Sequence, residues 1–152
     1  MKRLKKGFTL IELLVVIAII GILATTLAPK LREQLAKAKD AKAIATLGAG
    51  RTAGSILFVD KMVQTTTGAI ETPTLTEIYN KLDSNAQKVY DSTSTSNSAL
   101  IIGGSRTSAT GDMTYGGTVT LEAPTTSTTS ESIELNFSDT TYSTEGKQWS
   151  TY

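Results

Sequence analysis

The sequence predicts an α+β fold, with a long amino-terminal α-helix, part membrane stem and part amphipathic, packed on an antiparallel sheet of three or four strands. Three observations carry this prediction. Apolar residues are concentrated at one end: 16 of the 21 residues from Phe8 to Ala28 are Ala, Val, Ile, Leu or Phe, against 42 hydrophobic residues among the 124 from Pro29 onward. The stretch from Pro29 to Met62 keeps the Ala, Leu, Lys, Glu and Gln content of a helix. Beyond Ala99, apolar positions recur at every second residue, the period of a half-buried strand. The 152-residue chain has no cysteine and no histidine. That removes disulfides, thiol chemistry, sulfur-ligated metals and the commonest general base. No catalytic constellation, cofactor site or metal-ligand spacing emerges, so the reading is of a protein that is not an enzyme.

Residues 1–7, MKRLKKG, carry Lys2, Arg3, Lys5 and Lys6 and no acid. Residues 8–28 follow as FTLIELLVVIAIIGILATTLA, long enough at about 1.5 Å per residue to cross a bilayer as a helix. The basic start holds that end in the cytoplasm and sends the remainder outward. A secretory signal peptide and a plain single-span anchor both fit this much. Neither accounts for Glu12, a carboxylate inside the apolar run, where a charge costs about 3 kcal/mol near mid-membrane. Such a group needs a partner. The apolar run contains no cation, and the natural candidate is an amino group freed by cleavage after Gly7 and belonging to a neighbouring copy.

The run Gly7-Phe8-Thr9-Leu10-Ile11-Glu12, after a short basic leader and before an unbroken apolar stretch, resembles the class III signal of type IV pilins and pseudopilins. The resemblance implies that a membrane-bound prepilin peptidase cuts between Gly7 and Phe8 and methylates the Phe8 amino group. Residues 1–7 are then a leader peptide, and residues 8–28 are retained as the transmembrane and assembly helix. It also implies that Glu12 pairs with the amino terminus of an adjacent subunit in a helical homopolymer. Gly21 and Pro29 stand where such pilins carry a helix-weakening glycine and a proline. The physics of the two residues agrees, since Gly costs about 1 kcal/mol and Pro about 3 kcal/mol in a helix interior. Unwinding of this stretch in a filament and a simple kink at the membrane exit both remain open.

Residues 29–62 read as the amphipathic half of the same helix, which from Phe8 would be 55 residues and roughly 80 Å long. Its expected inward stripe is Ala41, Ile44, Ala45, Gly48, Thr52, Ser55, Val59 and Met62. Gly48, Gly50 and Gly54 are read as positions of close packing, with a helix end near Gly48 or Gly50 as the alternative. Lys30, Arg32, Lys37, Lys39 and Lys42 form a basic band. Residues 8–61 carry net +3 and residues 62–152 net −6, an asymmetry that favours staggered assembly of heads over stems.

Residues 63–152 form the head, with residues 63–98 as a connection and residues 99–152 as sheet and terminal region. Gln64 to Thr74 reads as a turn-rich link. Thr74-Leu75-Thr76-Glu77 is a capping box opening a short helix with Ile78, Tyr79 and Leu82 on one face. Asp91 to Ser98 is a polar loop. Strands are expected at Ala99–Ile102, Met113–Leu121, Ser132–Phe137 and, after a turn at Glu145-Gly146, Lys147–Tyr152. With no disulfide available, burial of Phe137 and Trp149 must anchor the terminal region. The many Ser and Thr residues suit a solvated strand face, and O-glycosylation has no specific signal. The Asn136-Phe137-Ser138 acceptor pattern falls within an expected strand and is discounted.

The resemblance implies a pilin fold and a structural subunit of a type IV pilus, a bacterial surface filament for adhesion, twitching motility or DNA uptake. The alternative is a pseudopilin of a type II secretion or competence apparatus. Its implied partners are further copies of itself, the prepilin peptidase, the assembly platform with its ATPase motors, and the inner membrane before assembly. A third reading, a membrane-anchored binding domain that never polymerises, is separated from these by Glu12. Direct nucleic-acid binding by the head is disfavoured by its net negative charge.

Overall fold

The computed structural model describes residues 7–64, 71–122, 124–126 and 133–152. Lys2, Arg3, Lys5 and Lys6 of the expected leader, the middle of the link after Gln64 and Ser132, where the third strand is expected to begin, lie outside the described residues. The chain divides into two compact units, one ending at Gln34 and the other comprising Leu35–Tyr152.

Helix α1 spans Leu10–Gln64 without interruption, so no helix end occurs at Gly48 or Gly50. Up to Gln34 its apolar side chains are exposed, Leu10 at 81% and Ile22 at 67%, and the apolar window that could span a membrane buries none of its residues. This part of α1 has length and composition for a lipid or protein environment that the single chain does not supply.

In the second unit, the carboxy-terminal part of α1 buries Ala36, Asp40, Ala43, Leu47, Gly50, Gly54 and Phe58 at three- and four-residue steps. This differs from the expected stripe by roughly one residue. Ala41, Ala45, Gly48, Thr52 and Val59 are exposed. The true inward face mixes a carboxylate and two glycines with its apolar residues, so apolar periodicity does not mark it. Glycine packing holds for Gly50 and Gly54, where an added Cβ would lie 3.0 Å from Leu135 and 3.2 Å from Ile78, but not for Gly48, which has open space.

Two short helices follow, α2 at Leu75–Lys81 and α3 at Ser84–Gln87. The capping box on α2 forms as expected: the Thr74 hydroxyl accepts from the Glu77 amide and the Glu77 carboxylate accepts from the Thr74 amide. Asp83 caps α3 by accepting from the Ala86 amide at 2.8 Å.

The strands are β1 (Ala99–Ile101), β2 (Gly104–Arg106), β3 (Met113–Tyr115), β4 (Thr118–Thr120), β5 (Thr125–Thr126) and β6 (Ile133–Glu134). Pairs β1·β4 and β2·β3 are antiparallel and keep one register, with Ala99 opposite Thr120 and Gly104 opposite Tyr115. They form one hairpin bent at its middle, where Ile102 donates to Gly117 O and Gly116 to Gly103 O. The expected single strand Met113–Leu121 is therefore broken at Gly116 and Gly117, whose φ angles of 80° and 117° suit glycine. Beyond the bend Val119 and Leu121 are buried, whereas Tyr115 is exposed. Bridges from Tyr90 to Leu100 and from Leu121 to Phe137 extend β1·β4 on both edges, giving the small antiparallel sheet against which α1 packs.

The core joins Ala43 and Leu47 of α1 to Val89, Leu100, Ile102, Val119, Leu121, Leu135, Phe137 and Trp149. The expected last strand is instead a 3₁₀ turn at Trp149–Thr151, reached through a turn at Gly146 with φ 80°. The segment curls because the amides of Thr151 and Tyr152 donate to Gln148 O and Trp149 O, three residues back, while those of Trp149 and Ser150 tie it to Thr141 O and Asp139 O. That places the fully buried Trp149 edge-on to Phe137 at 5.3 Å.

Candidate functional site

Gly7, Phe8 and Thr9 precede α1 in non-helical backbone, and Phe8 is 73% exposed. A helix start leaves four backbone amides without intrahelical partners. Thr9 and Glu12 meet this need as a second capping box, at the spacing used by Thr74 and Glu77. The Glu12 amide donates to Thr9 Oγ1 at 3.3 Å, while Glu12 Oε2 accepts from the Thr9 amide and hydroxyl, both at 2.8 Å. Glu12 thus has a partner inside its own chain, one that sequence reasoning did not assign although the Thr-x-x-Glu spacing was there to be read. The two bonds that the carboxylate accepts both fall on Oε2. Oε1 takes neither of them, and the residue joined to Phe8 is open, since an added Cβ at Gly7 would meet nothing within 4 Å.

Gly21 and Pro29 lie within continuous helix. Pro29 supplies no amide to the carbonyl of Thr25, and the hydroxyls of Thr25 and Thr26 are turned onto the carbonyls of Ile22 and Leu23. The structure therefore brings Glu12 together with Thr9 beside the Gly7-Phe8 bond and leaves Gly21 and Pro29 as separate features farther along the stem.

Sequence reading passed over two further residues, Asp40 and Arg51, both on α1. Asp40, 3% exposed, accepts from the Gly103 amide at 2.8 Å through Oδ1 and from the Thr144 amide at 2.9 Å through Oδ2. Gly103 is pressed against Ala36, leaving no room for a Cβ. Arg51 donates to Leu135 O at 2.8 Å, Asn136 Oδ1 at 2.9 Å and Tyr152 O at 3.0 Å. Together they tie the bend of the hairpin and the terminal segment to α1. An acid within the basic band was the only signal for Asp40. Among the described residues, no group of three His, Cys, Asp or Glu could hold a metal ion.

A long apolar-stemmed helix packed on a small antiparallel sheet, with a capped glutamate beside an exposed amino-terminal segment, defines a class of α+β proteins built on an exposed stem. The family model for the prokaryotic N-terminal methylation motif matches residues 2–28. A type IV major fimbrial protein FimA of Dichelobacter nodosus is 43% identical over 60 residues, covering 40% of this chain and 38% of its own. Fimbrial protein EcpC of Eikenella corrodens is 43% identical over 63 residues, 41% of each chain. Fimbrial protein Q of Moraxella bovis is 49% identical over 49 residues, 32% of this chain and 31% of its own. The chain thus spans about two fifths or less of the length of these curated relatives. No solved structure matches it significantly. The motif and the relatives support the type IV pilin family, a family of structural proteins and not of enzymes.

Proposed function

We propose that this chain is a structural subunit of a type IV pilus. Its precursor is held in the cytoplasmic membrane by residues 8–28, with the head outside the cytoplasm. The prepilin peptidase removes residues 1–7 by cutting between Gly7 and Phe8 and methylates the new amino group. The processed stem then polymerises on the assembly platform, driven by its ATPase motors. The observation that carries this reading is the methylation motif on residues 2–28 leading into a helix whose apolar, membrane-length window is wholly exposed. A polymer of such helices removes that surface from water and lipid at once.

Glu12 has a defined part in this process. Its Oε2 holds the start of its own helix, and Oε1, which takes none of these bonds, is left to accept from the Phe8 ammonium of an adjacent subunit. An ion pair formed away from water offsets the cost of carrying a carboxylate through the apolar layer. Gly21 and Pro29 are the positions where the stem yields when packed against its neighbours, giving the filament its extensibility. The filament then serves adhesion, twitching motility or DNA uptake.

Glu12→Ala is expected to leave the precursor in the membrane and reduce sheared surface filaments by about tenfold or more, the loss of one charge-assisted pair. Blotting the sheared fraction measures this, and a normal filament yield would refute the pairing. Amino-terminal sequencing is expected to begin at N-methylated Phe8. Electron microscopy of sheared material distinguishes a long pilus from the short pseudopilus of a secretion apparatus.

A further inference from the structure

A cavity of about 450 Å³ opens on the head where α2, α3 and the loop after Tyr90 meet, and its walls include Tyr79, Ser84, Lys88, Ser92, Asn97 and Ile101. That volume accommodates a small organic ligand. Tyr79 is braced edge-on by Tyr90, with ring centroids 5.1 Å apart, so it is a stiff aromatic wall. The side chains of Ser84, Lys88, Ser92 and Asn97 make no hydrogen bond with other described residues. Asn97 is held with φ 49°, which fixes its backbone in the left-handed region, tolerated by Asn. A second cavity of about 130 Å³ shares Lys88 and Ile101 with the first and adds Lys39, Lys42 and Val89. Lys39 and Lys42, three apart on α1, project from one helix face. Asp91 also lines the larger cavity, and its Oδ1 is occupied by the Thr93 amide at 2.9 Å and the Thr93 hydroxyl at 2.8 Å.

We propose that the two cavities form one binding site for an acidic sugar unit, of the hexuronate or sialic acid type, in a glycan outside the cell. A saccharide ring has an apolar C–H face suited to an aromatic wall and hydroxyls at its rim that need both donors and acceptors. Ser84, Ser92 and Asn97 supply both, and Asp91 Oδ2 accepts. The carboxylate of the sugar lies toward Lys88, with Lys39 and Lys42 behind it, three cations against one acid. A neutral sugar uses only the larger cavity. The proposal rests on the reading that the head is displayed on a filament.

Purified filaments and the detergent-solubilised full-length chain are each titrated with a glucuronate-containing disaccharide, its neutral glucose counterpart and a short oligothymidylate. The acidic disaccharide is expected to bind both preparations, and the neutral one about tenfold more weakly, the loss of a charge-assisted contact. Lys88→Gln and Asn97→Gly, the latter chosen because glycine keeps the backbone angle, are each expected to weaken binding about tenfold with an unchanged unfolding temperature. Equal binding of the two disaccharides, retention of affinity in both variants, or tighter binding of the oligothymidylate would overturn the proposal. So would binding by the solubilised chain without binding by filaments, because a neighbouring copy would then cover the site. If no filaments form, the pilus reading fails, while the solubilised chain still tests the cavity.

Discussion

Asp40 shows how one side chain can hold distant pieces of chain together. It sits on the buried face of α1 with each carboxylate oxygen accepting a backbone amide, from Gly103 on the hairpin bend and Thr144 in the terminal region. Bonds of this kind to a charged acceptor are stronger than neutral ones, and removing the acceptor strands two donors away from water. Asp40→Ala is therefore expected to destabilise the protein by about 2 to 5 kcal/mol, read as a lowered unfolding temperature of the detergent-solubilised chain. An unchanged temperature would mean that both amides find other partners. Arg51, with three acceptors in Leu135, Asn136 and Tyr152, plays the parallel part nearer the chain end. In a protein without cysteine, these two polar contacts and the burial of Phe137 and Trp149 hold the terminal segment.

At the scale of elements, α2 is attached to α1 by a salt bridge of 2.9 Å between Lys61 and Glu77. The same carboxylate caps α2, and the Thr74 backbone bond, followed by the Lys61 contact, holds Glu77 below the usual carboxylate range. A depressed acid contributes stability above its unfolded-state value and loses it as pH falls through its folded value. The stability difference between the wild type and Glu77→Gln is thus expected to close on acidification below the ordinary glutamate range, measured as unfolding temperature against pH. The effect is small because both groups are partly exposed. Helix α2 was legible in the sequence because its cap is local, as Thr74 and Glu77 show, whereas α3 and the Thr9–Glu12 cap of α1 were not read. The inward face of α1 was not. Ile56, Val59 and Val63 are exposed while Asp40, Thr46, Gly50 and Gly54 are buried, so its apolar residues do not report which side meets the sheet. Nor does alternation reveal the bend at Gly116 and Gly117, since a hairpin keeps its register and its period of two through a kink.

For the whole molecule, the charge asymmetry has a measurable consequence. Residues 8–61 carry net +3 and residues 62–152 net −6, so in the proposed filament, copies displaced along its axis would meet with opposite charge. Raising ionic strength shortens the screening length from about 10 Å at 0.1 M to about 3 Å at 1 M. Filament association is expected to slow across that range, followed by light scattering. Rates that do not change with salt would show that apolar stem packing alone directs the stagger.

The sequence by itself determined the apolar stem and the N-terminal methylation motif. The basic start, the Gly7-Phe8 bond, Glu12 and the apolar run are contiguous, so order along the chain is enough to read them. Tertiary structure alone decided which face of α1 is buried, how the hairpin bends, and that Trp149 lies in a turn and not a strand. It also brought Asp40 to residues 63 and 104 positions away, and Arg51 to partners up to 101 positions away. Those outcomes depend on small residues admitting close backbone approach and on buried amides finding acceptors far along the chain, neither of which leaves a periodic trace in the sequence.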